Sequence, residues 1–344
     1  MTVLEKGLYY MDSLIIWRGI REDEVMGEFR RLLGLILDGE HSQLLDGYYS
    51  FLHKFVEGHR WDRAELSWQD YILDLILIDE NMFSLAAEGQ EYSKIPKTII
   101  ELADRDLQLL YGLANISWKG IVKAIENRTG HSVELIFKED FKDTDREQFN
   151  SRYLAGLYRK NGCGQFGVYR GFRWRRRSDG TGYLEGIDNI DPIQIDDLIG
   201  YEIQKQRIIE NTKLLLAGYS ANNILLYGDK GTGKSSMVKA VLNKFYDKGL
   251  RVVEVPKESL GSYLDILSLL EHRGQKFIIF IDDLSFEDTE PEYKHIKALL
   301  EGGLKERPQN VVIYATSNRR HLIKQSFEDR EEITPADAVQ EKLS

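Results

Sequence analysis

Residues 222–239, NNILLYGDKGTGKSSMVK, limit what this chain can fold into more than any other stretch. A short apolar run, 224–227, passes directly into a glycine-rich turn. The turn opens into an amphipathic segment holding Met237, Val238, Val241 and Leu242. Strand, glycine-rich turn and helix in that order are the setting in which G-x-x-x-x-G-K-[ST] signifies a phosphate-binding loop. The motif residues are Gly228, Asp229, Lys230, Gly231, Thr232, Gly233, Lys234 and Ser235, with Ser236 following at the helix start. Glycines allow positive φ and let backbone N–H groups approach an anion with no Cβ in the way. The helix start adds unsatisfied N–H groups and the positive end of its dipole. Lys234 brings a mobile charge for the β and γ phosphates, and the Ser235 hydroxyl is placed to ligate Mg²⁺. A chance glycine-rich turn is the competing explanation, and it does not account for the flanks. The expectation is a site for ATP with Mg²⁺.

A length of 344 residues implies about two domains, each able to bury a core. Charged residues make up 30% and the net charge is −10, which argues against bulk nucleic-acid binding while leaving room for a local basic patch. The single cysteine, Cys163, has no internal disulfide partner and fits a reducing compartment. Asp12 interrupts the N-terminal apolar stretch, which makes a poor signal peptide. Asp74 breaks the apolar run 71–78, which is of core length. A cytoplasmic protein with no membrane contact is expected, so the sequons at Asn115 and Asn127 carry no meaning.

Residues 1–130 read as a helical domain. Leu32, Leu33, Leu35, Ile36 and Leu37 form an apolar block, and Leu44, Leu45, Tyr48, Tyr49, Leu52 and Phe55 recur at helical spacing before Gly58. Trp68, Ile72, Leu75 and Ile76 give a further stripe, as do Ile99, Leu102 and Leu109. His41, His53 and His59 read as solvated or core-edge residues, since no cysteine or carboxylate motif at ligand spacing accompanies them. The abundant aromatics signify core, and would also suit a partner-binding surface.

Residues 131–190 read as a mixed α/β connecting region. Val133, Leu135 and Phe137 alternate as in a strand, 139–150 is a charged helix or loop, and 166–169 is a short strand between glycine turns. RGFRWRRRS at 170–178 then sets five arginines around Phe172 and Trp174. These are ingredients of a single-strand nucleic-acid surface. They are equally those of a solvated linker or of an arginine–tryptophan stack between domains. In an acidic chain the structural alternatives are favoured. Asp191-Pro192 marks the start of a third region, 191–344.

Beyond that boundary the segments alternate in the manner of a parallel sheet with helices. Leu198-Ile199-Gly200 is, by physics alone, an apolar turn before an amphipathic helix ending at Gly218. After the loop, 251–255 is a β-branched strand and 260–270 a helix. Residues 277–281 are a continuous apolar run, as expected of a strand buried on both faces. That run ends in Asp282-Asp283. A carboxylate at the C-terminal end of a strand beside a phosphate loop is where a Mg²⁺-anchoring acid is needed. Asp282 fits that role, and Asp283 is placed to orient or deprotonate the attacking water, with Glu287 a weaker candidate. A helix over 293–304 and a buried strand over 310–316 follow. Asn318 at that strand's tip is placed to hydrogen-bond the γ-phosphate and the lytic water. Arg319 and Arg320 face phosphate, a neighbouring subunit or solvent.

Together GDKGTGKSS, FIIFIDDLSFE and IYATSNRRHL resemble the core of an AAA+ ATPase. More narrowly, DLIGYEIQKQRIIENTKLLLAG, NNILLYGDKGTGKSSMVKAVLN, FIDDLSFE and LLEGGLKERPQNVVIYATSNRRHL are similar to the bacterial AAA+ group known as domain of unknown function family 815. The similarity runs over about residues 190–325. It implies an α/β P-loop NTPase fold, a parallel sheet flanked by helices, after a mostly α-helical N-terminal domain. It assigns Lys234 and Ser235 to Walker A, and Asp282 and Asp283 to Walker B, with Asp where many AAA+ proteins have Glu. It makes Asn318 sensor 1 and puts the adenine pocket at Leu198 and Ile199. It also implies a homo-oligomer acting on a protein partner through the helical first half. AAA+ proteins usually continue into an arginine finger, a fifth core strand and a helical lid. Their absence before Ser344 leads to the expectation of a truncated chain with feeble hydrolysis and an open sheet edge beside 224–227.

Two other functions stay open: a helicase-loader-like switch using 170–177 on nucleic acid, and a nucleotide-gated binding module with little turnover. A small-molecule P-loop kinase ranks last. The acid pair and Asn318 suit water activation better than transfer to a bound acceptor.

Overall fold

The apolar stripes of the first half become helices in the computed structural model, which describes residues 2–39, 41–58, 66–137, 143–284 and 308–318. They are α1 (Val3–Asp12), α2 (Glu24–Asp38), α3 (His41–Gly58), α4 (Trp68–Ile78), α5 (Met82–Gly89), α6 (Lys97–Ala114), α7 (Trp118–Thr129), α8 (Ser151–Asn161) and the single turn α9 (Gln165–Val168). Polar residues that compete well for the first N–H groups start several of them. The Thr2 hydroxyl accepts from the Glu5 N–H at 3.2 Å while the Glu5 carboxylate accepts from the Thr2 N–H at 2.7 Å. The side-chain oxygens of Ser67, Asn81 and Ser117 likewise accept first-turn N–H groups of α4, α5 and α7. The core between these helices is aromatic. Trp118 stacks on Phe137 with ring centres 4.1 Å apart and on Phe51 at 5.2 Å, and Trp68 meets Trp118 edge-on at 5.3 Å.

Two segments expected as strands here are not strands. Residues 131–137 bury Val133 and Phe137 but leave Leu135 38% exposed, so burial does not alternate. Side chains satisfy the backbone in place of a ladder. Glu126 accepts from the Val133 N–H at 3.2 Å, and the Tyr48 hydroxyl donates to the Glu134 carbonyl. At 165–168 the chain coils into α9, because Gly164 takes a φ of 60° and its carbonyl accepts from the Gly167 N–H at 3.1 Å. Of the three histidines, His53 pairs with Glu57 at 3.3 Å and His59 lies outside the described residues. No group of three His, Cys, Asp or Glu that could hold a metal occurs among the described residues.

The chain divides into two compact units, Met1–Val168 and Tyr169–Ser344. The boundary therefore precedes the arginine run instead of falling at 191, and the reason is strand pairing. The second unit contains β1 (Gly171–Arg176), β2 (Gly182–Ile187), α10 (Glu202–Leu216), β3 (Ile224–Tyr227), α11 (Lys234–Phe245), β4 (Leu250–Glu254), α12 (Tyr263–Leu270), β5 (Lys276–Ile281) and β6 (Val311–Ser317). These strands form one sheet in the order β2-β1-β4-β5-β6-β3, antiparallel only between β1 and β2. The basic run is thus a strand, not a linker. Phe172 and Trp174 are buried, and a Cβ at Gly182 would fall 1.9 Å from the Trp174 ring, so glycine there lets the indole lie across the hairpin. Every arginine of the run has a partner within the unit. Arg173 pairs with Glu254 at 3.0 Å, Arg175 with Glu185 at 2.9 Å, and Arg176 donates to the Ser262 hydroxyl at 2.6 Å. Arg170 lies over Tyr246 and Arg177 over Tyr183, at 4.4 and 4.8 Å from the ring centres.

β5 is buried from Phe277 to Ile281, as its apolar run predicts. On one face Val252, Ile278, Phe280, Val312 and Tyr314 share a core with Ile208 and Leu215 of α10 and with Val238, Val241 and Phe245 of α11. Among the described residues β3 and β2 are the two edges of the sheet. The helix expected over 293–304 lies outside the described residues. No described helix is long and apolar enough to cross a membrane.

Candidate functional site

Parallel strands bring their C-terminal ends to one edge of a sheet, where the connecting loops gather. β3 runs beside β6 with Leu226 opposite Thr316 and Tyr227 opposite Ser317. The pairing extends one step further, the Gly228 N–H donating to the Ser317 carbonyl at 3.3 Å. The chain then turns sharply, with φ of 83° at Gly231 and 79° at Gly233, values that a Cβ disfavours. The Thr232 hydroxyl closes the turn by donating to the Asp229 carbonyl at 2.8 Å. No side chain caps α11. Its first-turn N–H groups, on Lys234, Ser235 and Ser236, therefore face outward at the positive end of the helix.

Lys234 folds back over this loop. Its ammonium donates to the carbonyls of Gly228 at 2.8 Å and Asp229 at 2.7 Å, and to Asn318 Oδ1 at 3.1 Å. The Asn318 amide nitrogen in turn donates to Asp283 Oδ1 at 2.8 Å. One helical position along, the Ser235 hydroxyl donates to Asp282 Oδ1 at 2.6 Å. Lys234, Ser235, Asp282, Asp283 and Asn318, far apart in sequence, are thus joined by direct hydrogen bonds. Leu198 also reaches the loop, since a Cβ at Gly233 would lie 3.6 Å from Leu198 Cδ2. Its neighbour Ile199 is 94% exposed, so only one of the expected apolar pair packs beside the loop. The Asp229 and Lys230 side chains are exposed. Glu287, Arg319 and Arg320 lie outside the described residues.

Thr316 is a member of this constellation that pattern reading passes over. Its hydroxyl donates to Asp282 Oδ1 at 2.5 Å and accepts from the Asp283 N–H at 2.8 Å. The available signal is a hydroxyl residue at the end of an otherwise apolar strand, two positions before Asn318. Asp283 itself has a φ of 52°, a left-handed conformation that Asp tolerates better than most side chains.

The chemistry has two halves. Open N–H groups and one ammonium suit a chain of phosphates. A hydroxyl and a carboxylate are hard oxygen donors of the kind that hold magnesium, which takes few protein ligands and keeps several waters. A Ser235 hydroxyl that gives its proton to Asp282 retains lone pairs for a cation, so these residues fit the ion.

Fold and site define a class: an α/β protein whose largely parallel six-stranded sheet carries a glycine-rich turn and two aspartates at its strand ends, after a helical unit. Residues 168–344, more than half of the chain, match the family model described as "Protein of unknown function (DUF815)". The chain belongs to that family. None of the curated proteins compared with it matches.

Proposed function

We propose that the chain is a P-loop ATPase of the AAA+ type that binds Mg-ATP, hydrolyses it, and couples the cycle to conformational work on a protein partner. The observation that carries this reading is the bridge Lys234–Asn318–Asp283, in which one amide links the cation of the loop to the acid at the end of β5. An arriving γ-phosphate competes with three oxygens for Lys234 and offers stronger, charge-assisted bonds. Ser235 and Asp282 would hold magnesium, which would supply positive charge to the phosphate oxygens. Asp283, steadied by the Asn318 amide, aligns the attacking water and takes its proton. The adenine lies beside Leu198.

The partner docks on the helical unit, where Met82 is 65% and Ile15 51% exposed. The nucleic-acid alternative loses support because each arginine of 170–177 is already engaged within its own unit.

The test is displacement of a fluorescent ATP analogue, with phosphate release followed in the same samples. Magnesium-dependent binding with turnover is the expected result. Binding without release would leave a nucleotide-gated module, and absence of binding would overturn the proposal.

A further inference from the structure

β6 is buried along its whole length, and Thr316 carries a hydroxyl in that apolar surrounding. Such a group is costly unless hydrogen-bonded. Here it is bonded twice, and its single proton fixes the direction of both bonds. The hydroxyl donates to Asp282 Oδ1 at 2.5 Å, so its oxygen is the acceptor for the Asp283 N–H at 2.8 Å. The Thr316 carbonyl takes the next amide, that of Leu284, at 2.6 Å. Two consecutive N–H groups of the turn after β5 therefore end on one residue, and that turn holds Asp283 at its φ of 52°.

The same hydroxyl acts on Asp282. The carboxylates of both aspartates are exposed, and an exposed carboxylate ordinarily rotates and exchanges its two oxygens. Asp282 Oδ1 instead accepts from Thr316 and from Ser235, at 2.5 and 2.6 Å. Two donors on one oxygen remove that freedom.

We infer that Thr316 is a positioning residue: one hydroxyl sets the rotamer of Asp282 and the backbone of Asp283, keeping the metal-holding and water-holding acids in register. This inference rests on the Mg-ATP reading for its catalytic meaning. Preorganisation of this kind is worth rate because geometry errors near an ångström are costly. Valine has nearly the shape of threonine but can neither donate nor accept. Serine can do both.

Thr316→Val and Thr316→Ser are compared with the wild-type chain in magnesium titrations of ATP binding and turnover, and in amide hydrogen exchange. In the absence of magnesium Thr316→Val and the wild type should show the same, weaker affinity for ATP. The valine variant's magnesium requirement should rise about tenfold and its kcat fall about ten- to hundredfold, the scale of a hydrogen bond to a charged group. Thr316→Ser should stay within about threefold of wild type. The Asp283 amide should exchange faster in the valine variant, while amides of 277–281 keep their protection. A valine variant with wild-type magnesium dependence and wild-type exchange at Asp283 overturns the inference. So does a serine variant as impaired as the valine one, which would show that the hydroxyl alone does not restore function. If the wild-type chain neither binds nor hydrolyses Mg-ATP, the functional reading fails. Exchange at Asp283 then still decides the positioning role, supporting it if accelerated and refuting it if unchanged.

Discussion

Lys234→Ala separates the cost to the fold from the cost to the ligand. Without nucleotide, the ammonium makes three hydrogen bonds at 2.7 to 3.1 Å, two of them to loop carbonyls. The loop is only partly buried and water can replace each bond. At a net of about 1 kcal/mol or less apiece, the loss of stability stays below about 3 kcal/mol. With a triphosphate bound, the same ammonium makes charge-assisted bonds to the β and γ oxygens, each worth about 1.5–3 kcal/mol. Two such bonds amount to about 3–6 kcal/mol, offset by the carbonyl bonds that the wild-type lysine gives up on binding. The difference, about 2–4 kcal/mol, weakens ATP binding by about 30- to 1,000-fold. The assay is titration with a fluorescent ATP analogue in magnesium, with thermal denaturation as the control for folding. A folded variant that binds within about threefold of wild type would refute the reasoning. Its lysine would then belong to the loop carbonyls in both states.

Asp283→Asn should retain nucleotide affinity and lose about 10²- to 10³-fold in turnover, as expected when a proton acceptor becomes neutral; unaltered phosphate release would pass the role to another acid. Glutamine at Arg173, Arg175, Arg176 and Arg177 should lower the urea midpoint yet leave ATP affinity intact, since these side chains pair within the β1 end of the sheet. Stimulation of turnover by a polynucleotide, steeply reduced by salt, would instead restore the nucleic-acid alternative. In the helical unit, burial pushes the Tyr48 phenol from its ordinary 10.0 up to about 12, and raises Tyr71 and Tyr158 as well. A raised phenol pKa means stability is fully present below pH 10 and is lost as pH climbs to about 12. Tyr48→Phe should flatten that decline in urea unfolding followed by tryptophan fluorescence. An equally steep decline without Tyr48 would remove it as a cause.

The glycine-rich turn is readable in the chain because its requirements are local. Glycine at 228, 231 and 233, lysine at 234 and a hydroxyl at 235 serve a turn and a helix start formed by neighbours in sequence. Asp282, Asp283 and Asn318 are readable for a related reason. A strand with an unbroken apolar run is buried on both faces of a parallel sheet, and the polar residues after it emerge at the C-terminal edge. β1 defeats the same logic. Its pattern, RGFRWRR, becomes a strand only by pairing with β4, where Glu254 stands opposite Arg173, and with β2, where Glu185 does so from the other side. Residues 131–137 fail in the opposite sense, with strand-like alternation but side-chain partners at Tyr48 and Glu126 satisfying the backbone.

Residue type and short spacing thus prescribe which groups can meet an anion, a cation or a water. They do not prescribe which acceptor a buried group finds, because that depends on strands distant in sequence becoming neighbours. Thr316 makes the distinction concrete. NVVIYAT reads as a strand ending in a hydroxyl, and nothing local separates it from any other buried strand end. The parallel register that places Ile281 opposite Ala315 sets the Thr316 oxygen between Asp282 and the Asp283 amide.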